Sequence, residues 1–189
     1  MTAVEETNIP GVLVLTPKVF GDERGYFLET HSKARYQDLG VPGEFVQDNL
    51  SKSTRGILRG LHCQAPYSQG KLVSVPFGSV FDVVVDIRLG SPSFGQWFGL
   101  ELSDKNHKQL WIPQGCAHGF VVTSDECLFA YKCDEYYHPE TEFTVRWNDP
   151  RIGVKWPILE PKLSPKDLQG ALLQDISEDR LPRYKESSL

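Results

Sequence analysis

The strongest constraint on the fold of this chain is a succession of short apolar segments, each only a few residues long and each closed by a turn. Val12–Leu15, Tyr26–Thr30, Phe45–Leu50, Ile57–His62, Lys71–Val75, Ser79–Arg88, Trp97–Leu102, Gln109–Ile112, Gly119–Thr123 and Leu128–Cys133 all read as strands. The alternation is clearest in the segment ending at Arg88. Phe81, Val83, Val85 and Ile87 share one face, and Asp82, Asp86 and Arg88 share the other. Turns are marked at Gly21–Gly25, Gly78, Gly90-Ser91-Pro92, Ser103–Asn106 and Ser124-Asp125. With 16 glycines and 13 prolines the chain is too interrupted for a helical bundle, and the spacing predicts an all-β double-sheet jelly roll. Only short peripheral helices are expected. Ser32 is placed to cap one over Lys33–Leu39, before Gly40 and Pro42, and Ser164-Pro165-Lys166-Asp167 has the form of another helix start. Arg183–Leu189 is expected to fray.

Length and composition narrow the possibilities further. The 189 residues suit a single domain over 1–189, with a barrel core at about 11–150 and a C-terminal helical segment at about 164–189. A chain of this size buries about 70% of its unfolded surface. No apolar run approaches the roughly 18 residues of a membrane span. The polar, acidic Met1–Pro10 does not resemble a secretory signal. A net charge of −5 argues against nucleic acid as partner, yet leaves room for a local cationic pocket that takes a phosphate-bearing ligand. Cys63, Cys116, Cys127 and Cys133 contain no Cys-x-x-Cys pair and read as free thiols of a cytoplasmic protein. Cys116, two residues before His118, is better explained as a small buried side chain than as a nucleophile.

Two segments carry the chemistry. One runs Gly56-Ile57-Leu58-Arg59-Gly60-Leu61-His62-Cys63-Gln64, then Gln69-Gly70-Lys71 and on to Gly78; the other is Ile112-Pro113-Gln114-Gly115-Cys116-Ala117-His118-Gly119-Phe120. Together they resemble the two motifs of a cupin, a double-stranded β-helix, with the metal site dismantled. A metal-binding cupin has His-x-His, a downstream Glu, and Pro-x-Gly-x-x-His. Here His118 survives, but the first motif keeps only His62, with Gln64 at the second histidine position and Lys71 following. A divalent metal prefers carboxylate or neutral imidazole, and a lysine ammonium opposes it. Such a pocket is better suited to binding an anion and moving protons.

Strand faces add polar groups beside aromatics, as expected around a polar, ring-containing ligand. Gln47 and Asn49 share a face, as do Phe27 and Glu29; so do Phe129, Tyr131 and Cys133, and His118 and Phe120. Arg59 and His62 have opposite parity, so a regular strand cannot aim both inward unless Gly60 admits a bulge. Singly, each residue has an ordinary explanation. A strand histidine is usually satisfied locally, Tyr131 is a typical core aromatic, Lys71 a typical solvated side chain, and Arg24 can simply serve its turn. Tyr136-Tyr137 can be loop packing, and Asp167 suits a helix N-terminus by charge alone.

Taken together, the motifs resemble one family, the dTDP-4-dehydrorhamnose 3,5-epimerases, which are metal-free cupins. The resemblance runs from about Gly11 to Leu173. It is carried by Gly21-Asp22-x-Arg24-Gly25-x-Phe27-x-Glu29, Gln47-Asp48-Asn49, Leu58-Arg59-Gly60-Leu61-His62, Gln69-Gly70-Lys71, Val85-Asp86-Ile87-Arg88, Trp111-Ile112-Pro113, His118-Gly119-Phe120, Tyr131-Lys132, Trp147-Asn148-Asp149-Pro150 and Leu163-Ser164-x-Lys166-Asp167. Cys63 stands where an aromatic is common, and Cys116 where a bulkier residue often sits. The resemblance implies epimerisation of dTDP-4-dehydro-6-deoxy-D-glucose at C3 and C5. His62 would be the base, oriented by Asp167; Tyr131 would be the acid, and Lys71 would stabilise the enolate. Arg24, Arg59 and His118 would contact the nucleotide-sugar. Glu29, Gln47, Asp48 and Asn49 would add polar contacts, Tyr137 would stack on thymine with Phe27 nearby, and Glu142 and Lys166 fall at ligand-contact positions. No cofactor and no metal are implied, no membrane or nucleic-acid partner, and a homodimer with strand exchange.

Two other classes of function remain compatible with the sequence. An epimerase of C3 alone or C5 alone would use the same residues on a related dTDP-4-keto sugar. A non-catalytic nucleotide-sugar binding cupin would have no need to retain His62, Asp167, Tyr131 and Lys71 together. A metal-dependent cupin dioxygenase lacks its ligands in the first motif.

Overall fold

The valine-rich segment has both faces covered, and this sets the layering of the whole molecule. The computed structural model describes residues 2–185. In chain order the strands are β1 (Ala3–Glu6), β2 (Leu13–Thr16), β3 (Val19–Asp22), β4 (Gly25–Leu28), β5 (Gln47–Thr54), β6 (Leu58–Gln64), β7 (Lys71–Phe77), β8 (Ser79–Asp86), β9 (Trp97–Ser103), β10 (Gln109–Ile112), β11 (Cys116–Val122), β12 (Glu126–Cys133) and β13 (Glu142–Thr144). One sheet has the order β1-β2-β10-β7-β12-β5, a second β13-β6-β11-β8-β9, and β3 and β4 form a separate hairpin. Val80 and Val84 of β8 face Phe120, Val122 and Phe129 between the two sheets. The alternate residues Val83, Val85 and Ile87 pack on the far side, under Phe143, Val145, Ile152, Leu173 and Leu181 of the C-terminal chain. Burying each such side chain is worth about 1.5–3 kcal/mol, so the strand is held from both faces. The fold is an all-β jelly roll of the cupin type.

The outer face of the six-stranded sheet has its own cover. Helix α1 (Lys33–Gln37) buries Tyr36 against Leu15, Val41, Leu72 and Trp111. The Tyr36 hydroxyl donates to Gln109 Oε1 at 2.7 Å, and Gln109 Nε2 donates to the Thr30 carbonyl at 2.8 Å. The helix is shorter than the expected Lys33–Leu39. Gly40, at φ +86°, reverses the chain, and the amides of Leu39 and Val41 both return to the Tyr36 carbonyl. Ser32 occupies the N-cap position, but its side chain makes no capping bond; the buried tyrosine anchors the helix instead. Helix α2 (Pro165–Leu168) starts as expected, with the Asp167 amide donating to Ser164 Oγ at 3.1 Å.

Several boundaries differ from expectation. β5 begins at Gln47 rather than Phe45 and runs on to Thr54, because β12 pairs with it along its whole length. β11 begins at Cys116, three residues before Gly119, where β8 continues to offer partners. β4 covers Gly25–Leu28 rather than Tyr26–Thr30 and pairs only with β3. The chain end is also corrected at Arg183 and Tyr184, which are not loose. Pro182 O accepts from the Leu89 amide at 2.7 Å, the Tyr184 amide donates to Leu89 O at 2.9 Å, and Arg88 lies over the Tyr184 ring. Of the rest of that expected frayed end, 186–189 lies outside the described residues. Beyond α2 the C-terminal segment adds single 3-10 turns at Leu173–Asp175 and Glu178–Arg180 rather than longer helix. Among the described residues no helix is long and apolar enough to cross a membrane.

Candidate active site

A cavity of about 390 Å³ opens between the two sheets. Its walls come from β6 and β11 on one side and from β5, β7 and β12 on the other. The parity conflict between Arg59 and His62 is resolved by a bulge. His118 of β11 pairs with His62 and Phe120 with Arg59, so two steps on β11 face three on β6. The extra residue lets both Arg59 and His62 line the cavity. Gly60 makes this possible: it has φ +129°, and a Cβ there would lie 2.5 Å from the Gly119 Cα.

His62 Nε2 lies 2.6 Å from Asp167 Oδ1. Asp167 is buried, and the Ser164 hydroxyl donates to its other oxygen at 2.9 Å. Burial alone would raise the Asp167 pKa. The hydrogen bond and charge of His62, the Ser164 hydroxyl and the Lys166 charge outweigh it and leave the carboxyl below its ordinary value. An ionised carboxylate only accepts, so Nε2 carries the proton and Nδ1 keeps a free lone pair.

A second pair of the same kind lies beside it. His118 Nε2 is 3.0 Å from both oxygens of Asp82, which is fully buried. The ring of Phe129 stacks near His118, with centroids 6.0 Å apart, and on Phe120 at 4.0 Å.

The opposite wall presents Lys71, Tyr131, Gln47 and Asn49. Lys71 stands directly across from Cys133 in the β7–β12 pairing and makes no ion pair among the described residues. Although the cavity leaves Lys71 partly accessible, burial of its ammonium pulls the pKa below the ordinary lysine value, against the pull of Cys133, Cys63, Asp82 and Asp134. Tyr131 is half-buried. Burial and the neighbouring Cys133 raise its pKa, with Arg59 opposing, so its hydroxyl stays protonated at neutral pH. Arg59 is steadied by a bond from its Nε to Ser53 Oγ at 3.0 Å.

The mouth is lined by a linked set of side chains. Tyr137 donates its hydroxyl to Glu142 Oε2 at 2.9 Å, Lys166 pairs with the same carboxylate, and the Tyr137 amide donates to Gln47 Oε1 at 3.0 Å. Gln47 Nε2 in turn donates to Asn49 Oδ1. All four cysteines are buried and unbridged, and burial pushes the Cys63 thiol up to about 12.

Four of the residues singled out from sequence lie away from this chain's own cavity. Arg24 is held by Asp22 in the β3–β4 turn with its side chain 89% exposed, and Phe27 is 70% exposed on the same hairpin. Glu29 pairs with Arg35, and Asp48 with Lys132 on the outside of the sheet. Conversely, Asp82 was missed as a site residue. A carboxylate inside the run Phe81-Asp82-Val83-Val84-Val85 needs a partner once both faces are buried, and that was the available signal. Ser51, Gln69 and Phe120 also line the cavity.

Comparison with known proteins agrees over most of the chain. The model of a family described as dTDP-4-dehydrorhamnose 3,5-epimerase matches residues 6–175. The enzyme of that description from Shigella flexneri is 52% identical over 174 residues, 91% of this chain and 96% of the relative. A crystal structure of dTDP-6-deoxy-D-glucose-3,5-epimerase RmlC from Legionella pneumophila Philadelphia 1, in complex with dTDP-4-keto-L-rhamnose, is 51% identical with a TM-score of 0.95, covering 98% of this chain and 100% of that one. ChmJ, a 3'-monoepimerase from Streptomyces bikiniensis in complex with dTDP-quinovose, is 32% identical with a TM-score of 0.86, covering 94% and 92%.

Proposed function

The chain belongs to the dTDP-4-dehydrorhamnose 3,5-epimerase family, and from that premise we propose that it is an isomerase inverting C3 and C5 of dTDP-4-dehydro-6-deoxy-D-glucose. The product is dTDP-4-dehydro-L-rhamnose, on the route to dTDP-L-rhamnose. The observation that carries the reading is that His62 and Tyr131 project into one cavity from opposite sheets, with Lys71 on the same cavity wall as Tyr131.

The C4 ketone acidifies the protons on C3 and C5, because either carbanion delocalises onto O4. His62 Nδ1 takes the proton, and Asp167 holds the imidazole and offsets the charge it gains. Lys71 donates to O4 as the enolate forms; an ammonium already weakened by burial shares its proton more readily with that oxygen. Tyr131 then delivers a proton from the other face, and both groups reset by exchange with solvent. A positioned acid or base is worth about 10²–10⁴-fold. Arg59 and His118 suit the diphosphate, and Tyr137 the thymine ring, with Gln47, Asn49, Glu142 and Lys166 around it.

The same reading accounts for the hairpin. Two strands alone are marginal in water, and Phe20, Tyr26 and Phe27 are all more than half exposed on this one. In the proposed homodimer the hairpin of one chain crosses to its partner, so that Arg24 and Phe27, with Glu29 close behind, serve the neighbouring cavity. The enzyme is cytoplasmic on this reading and needs no metal or redox cofactor. Both histidines already present Nε2 to carboxylates, and Lys71 faces the same cavity from the other sheet, which is a poor donor set for a divalent ion.

The test is proton-exchange NMR on dTDP-4-dehydro-6-deoxy-D-glucose in deuterated water, with C3 and C5 followed separately. Deuterium at both carbons with inversion at both is expected. Exchange at one carbon alone would make the protein a monoepimerase, and tight dTDP binding without any exchange would make it a binding module.

A further inference from the structure

We propose that Gln64 is a positioning residue for the nucleotide: its side-chain amide ties together the two loops at the cavity mouth and so sets Tyr137 against the base. The inference rests on the reading of Tyr137 as the base-stacking residue. Gln64 holds the position that a metal-binding cupin gives to its second histidine, yet its side chain is committed elsewhere. It is 4% exposed. Its Nε2 donates to the carbonyl of Tyr67, in the loop after β6, and to that of Tyr136, in the loop after β12, the latter at 2.9 Å. Its Oε1 accepts from the His138 amide at 2.9 Å. Two donors and one acceptor are thus all spent on backbone, and two of the three bonds bracket Tyr137 in sequence. A neutral imidazole, with one donor and one acceptor, cannot make this set.

The surrounding contacts show that these loops form one unit. Tyr67 and His138 stack with centroids 4.6 Å apart, Gln69 Nε2 donates to Glu135 O at 2.9 Å, and the Gly70 amide donates to Asp134 Oδ1 at 2.6 Å. Gln64 is the buried centre of that unit. Without it, two carbonyls and an amide lose the side chain that holds them together, and the loop relaxes away from the geometry that aims Tyr137. The reacting groups His62, Asp167, Lys71 and Tyr131 sit on strands or on α2 and are held independently of the amide. The consequence falls on binding more than on chemistry.

Gln64→Met keeps the length of the side chain and removes the hydrogen bonds; Gln64→Glu keeps the acceptor and sets a carboxylate against two carbonyls. For Gln64→Met, the dissociation constant for dTDP and the KM for the dTDP-sugar are expected to rise about tenfold, the scale of one or two lost net hydrogen bonds, while kcat falls less than about threefold. In a Tyr137→Ala background, Gln64→Met is expected to change dTDP affinity by less than about twofold, since the amide acts through that ring. If Tyr137→Ala weakens dTDP but Gln64→Met does not, or if the two losses simply add, the role given to Gln64 is wrong and the base-stacking reading stands. If Tyr137→Ala leaves dTDP affinity unchanged, the base-stacking reading fails and the inference falls with it. Should Gln64→Met not fold, Gln64→Glu carries the same cycle. Failure of both to give folded protein by circular dichroism would make Gln64 a folding residue and overturn the proposal.

Discussion

His62 and His118 stand directly opposite each other across β6 and β11, and each presents its Nε2 to a different buried aspartate. The two pairs are built differently. Asp167 reaches His62 from α2 and has the Ser164 hydroxyl on its second oxygen, so its charge is shared. Asp82 comes from β8 and gives both oxygens to His118. One cavity wall therefore carries two oriented imidazoles, one assigned to proton transfer and one to anion binding.

Asparagine at each position separates these assignments. Asp167→Asn can offer its NH₂ to Nε2, which forces the imidazole proton onto Nδ1 and removes the lone pair that acts as base. Deuterium uptake at C3 and C5 is expected to fall together by about 10²-fold or more, with dTDP affinity little changed. Asp82→Asn removes the carboxylate charge that balances His118 when the ring carries two protons and meets the diphosphate, so it is expected to weaken dTDP binding while exchange at saturating substrate persists. Paired measurements of exchange and dTDP affinity check both; a reversed pattern would exchange the roles of the two histidines.

Tyr131→Phe is expected to uncouple proton removal from inversion. The ring stays, so packing against Phe129 stays. His62 still removes both protons and returns deuterium to the same face, but the opposite wall has lost its acid. Exchange persists while net epimerisation falls by about 10²–10⁴-fold. One NMR time course reads both quantities, and unchanged inversion would return Tyr131 to a packing role.

Asp86 gives a prediction about stability rather than catalysis. It is fully buried, with Arg88 Nε and Nη2 each at 2.8 Å and the hydroxyls of Ser91 and Ser93 donating to Oδ2. Burial pushes its pKa up, but Arg88, Ser91 and Ser93 overcome that and leave it below the ordinary value. An acid whose folded pKa lies below its unfolded value contributes stability that is complete above the unfolded value and is lost as pH falls through the folded one. Asp86→Asn leaves the Arg88 guanidinium without its charge partner and is expected to cost about 3 kcal/mol at pH 7, a gap that narrows as pH drops below about 4. Urea unfolding at pH 7, 5 and 3.5 measures it; a gap independent of pH would remove the electrostatic account.

What the sequence made legible follows from where the signal lies. β8 was readable because one strand contains its own alternation, and Ser164-Pro165 announced α2 because a cap is local. β1 was invisible because Ala3–Glu6 is acidic and largely exposed, and β13 because three residues hold no period. β3 was missed for a different reason: all four of its residues are exposed in this chain, so no face of it is marked as inward. In the site, the cavity gathers His62, Lys71, Tyr131 and His118 from four different strands. The bulge that aims Arg59 inward needs Gly60 and Gly119 back to back, a relation between strands that neither strand reveals alone. Asp82 stayed hidden because its meeting with His118 is diagonal in the β8–β11 register, where its direct partner is Phe120.

The exposed hairpin yields the sharpest test of the dimer. If Arg24 and Phe27 serve the partner's cavity, each site is assembled from the His62 of one chain and the hairpin of the other. A His62→Asn chain and an Arg24→Ala/Phe27→Ala chain are then each inactive or nearly so as homodimers. Co-expressed with different tags and allowed to pair at random, they form heterodimers in which one site carries both lesions and the other carries neither. About a quarter of all sites are then intact, and activity should return to about that fraction of the wild-type value. If the hairpin folded back on its own cavity instead, every site in the mixture would carry a lesion and nothing would be restored. Purifying the doubly tagged species and assaying it against both homodimers distinguishes the two, because complementation needs a site shared between chains. The absence of rescue in a verified heterodimer would keep Arg24 and Phe27 out of the partner's site.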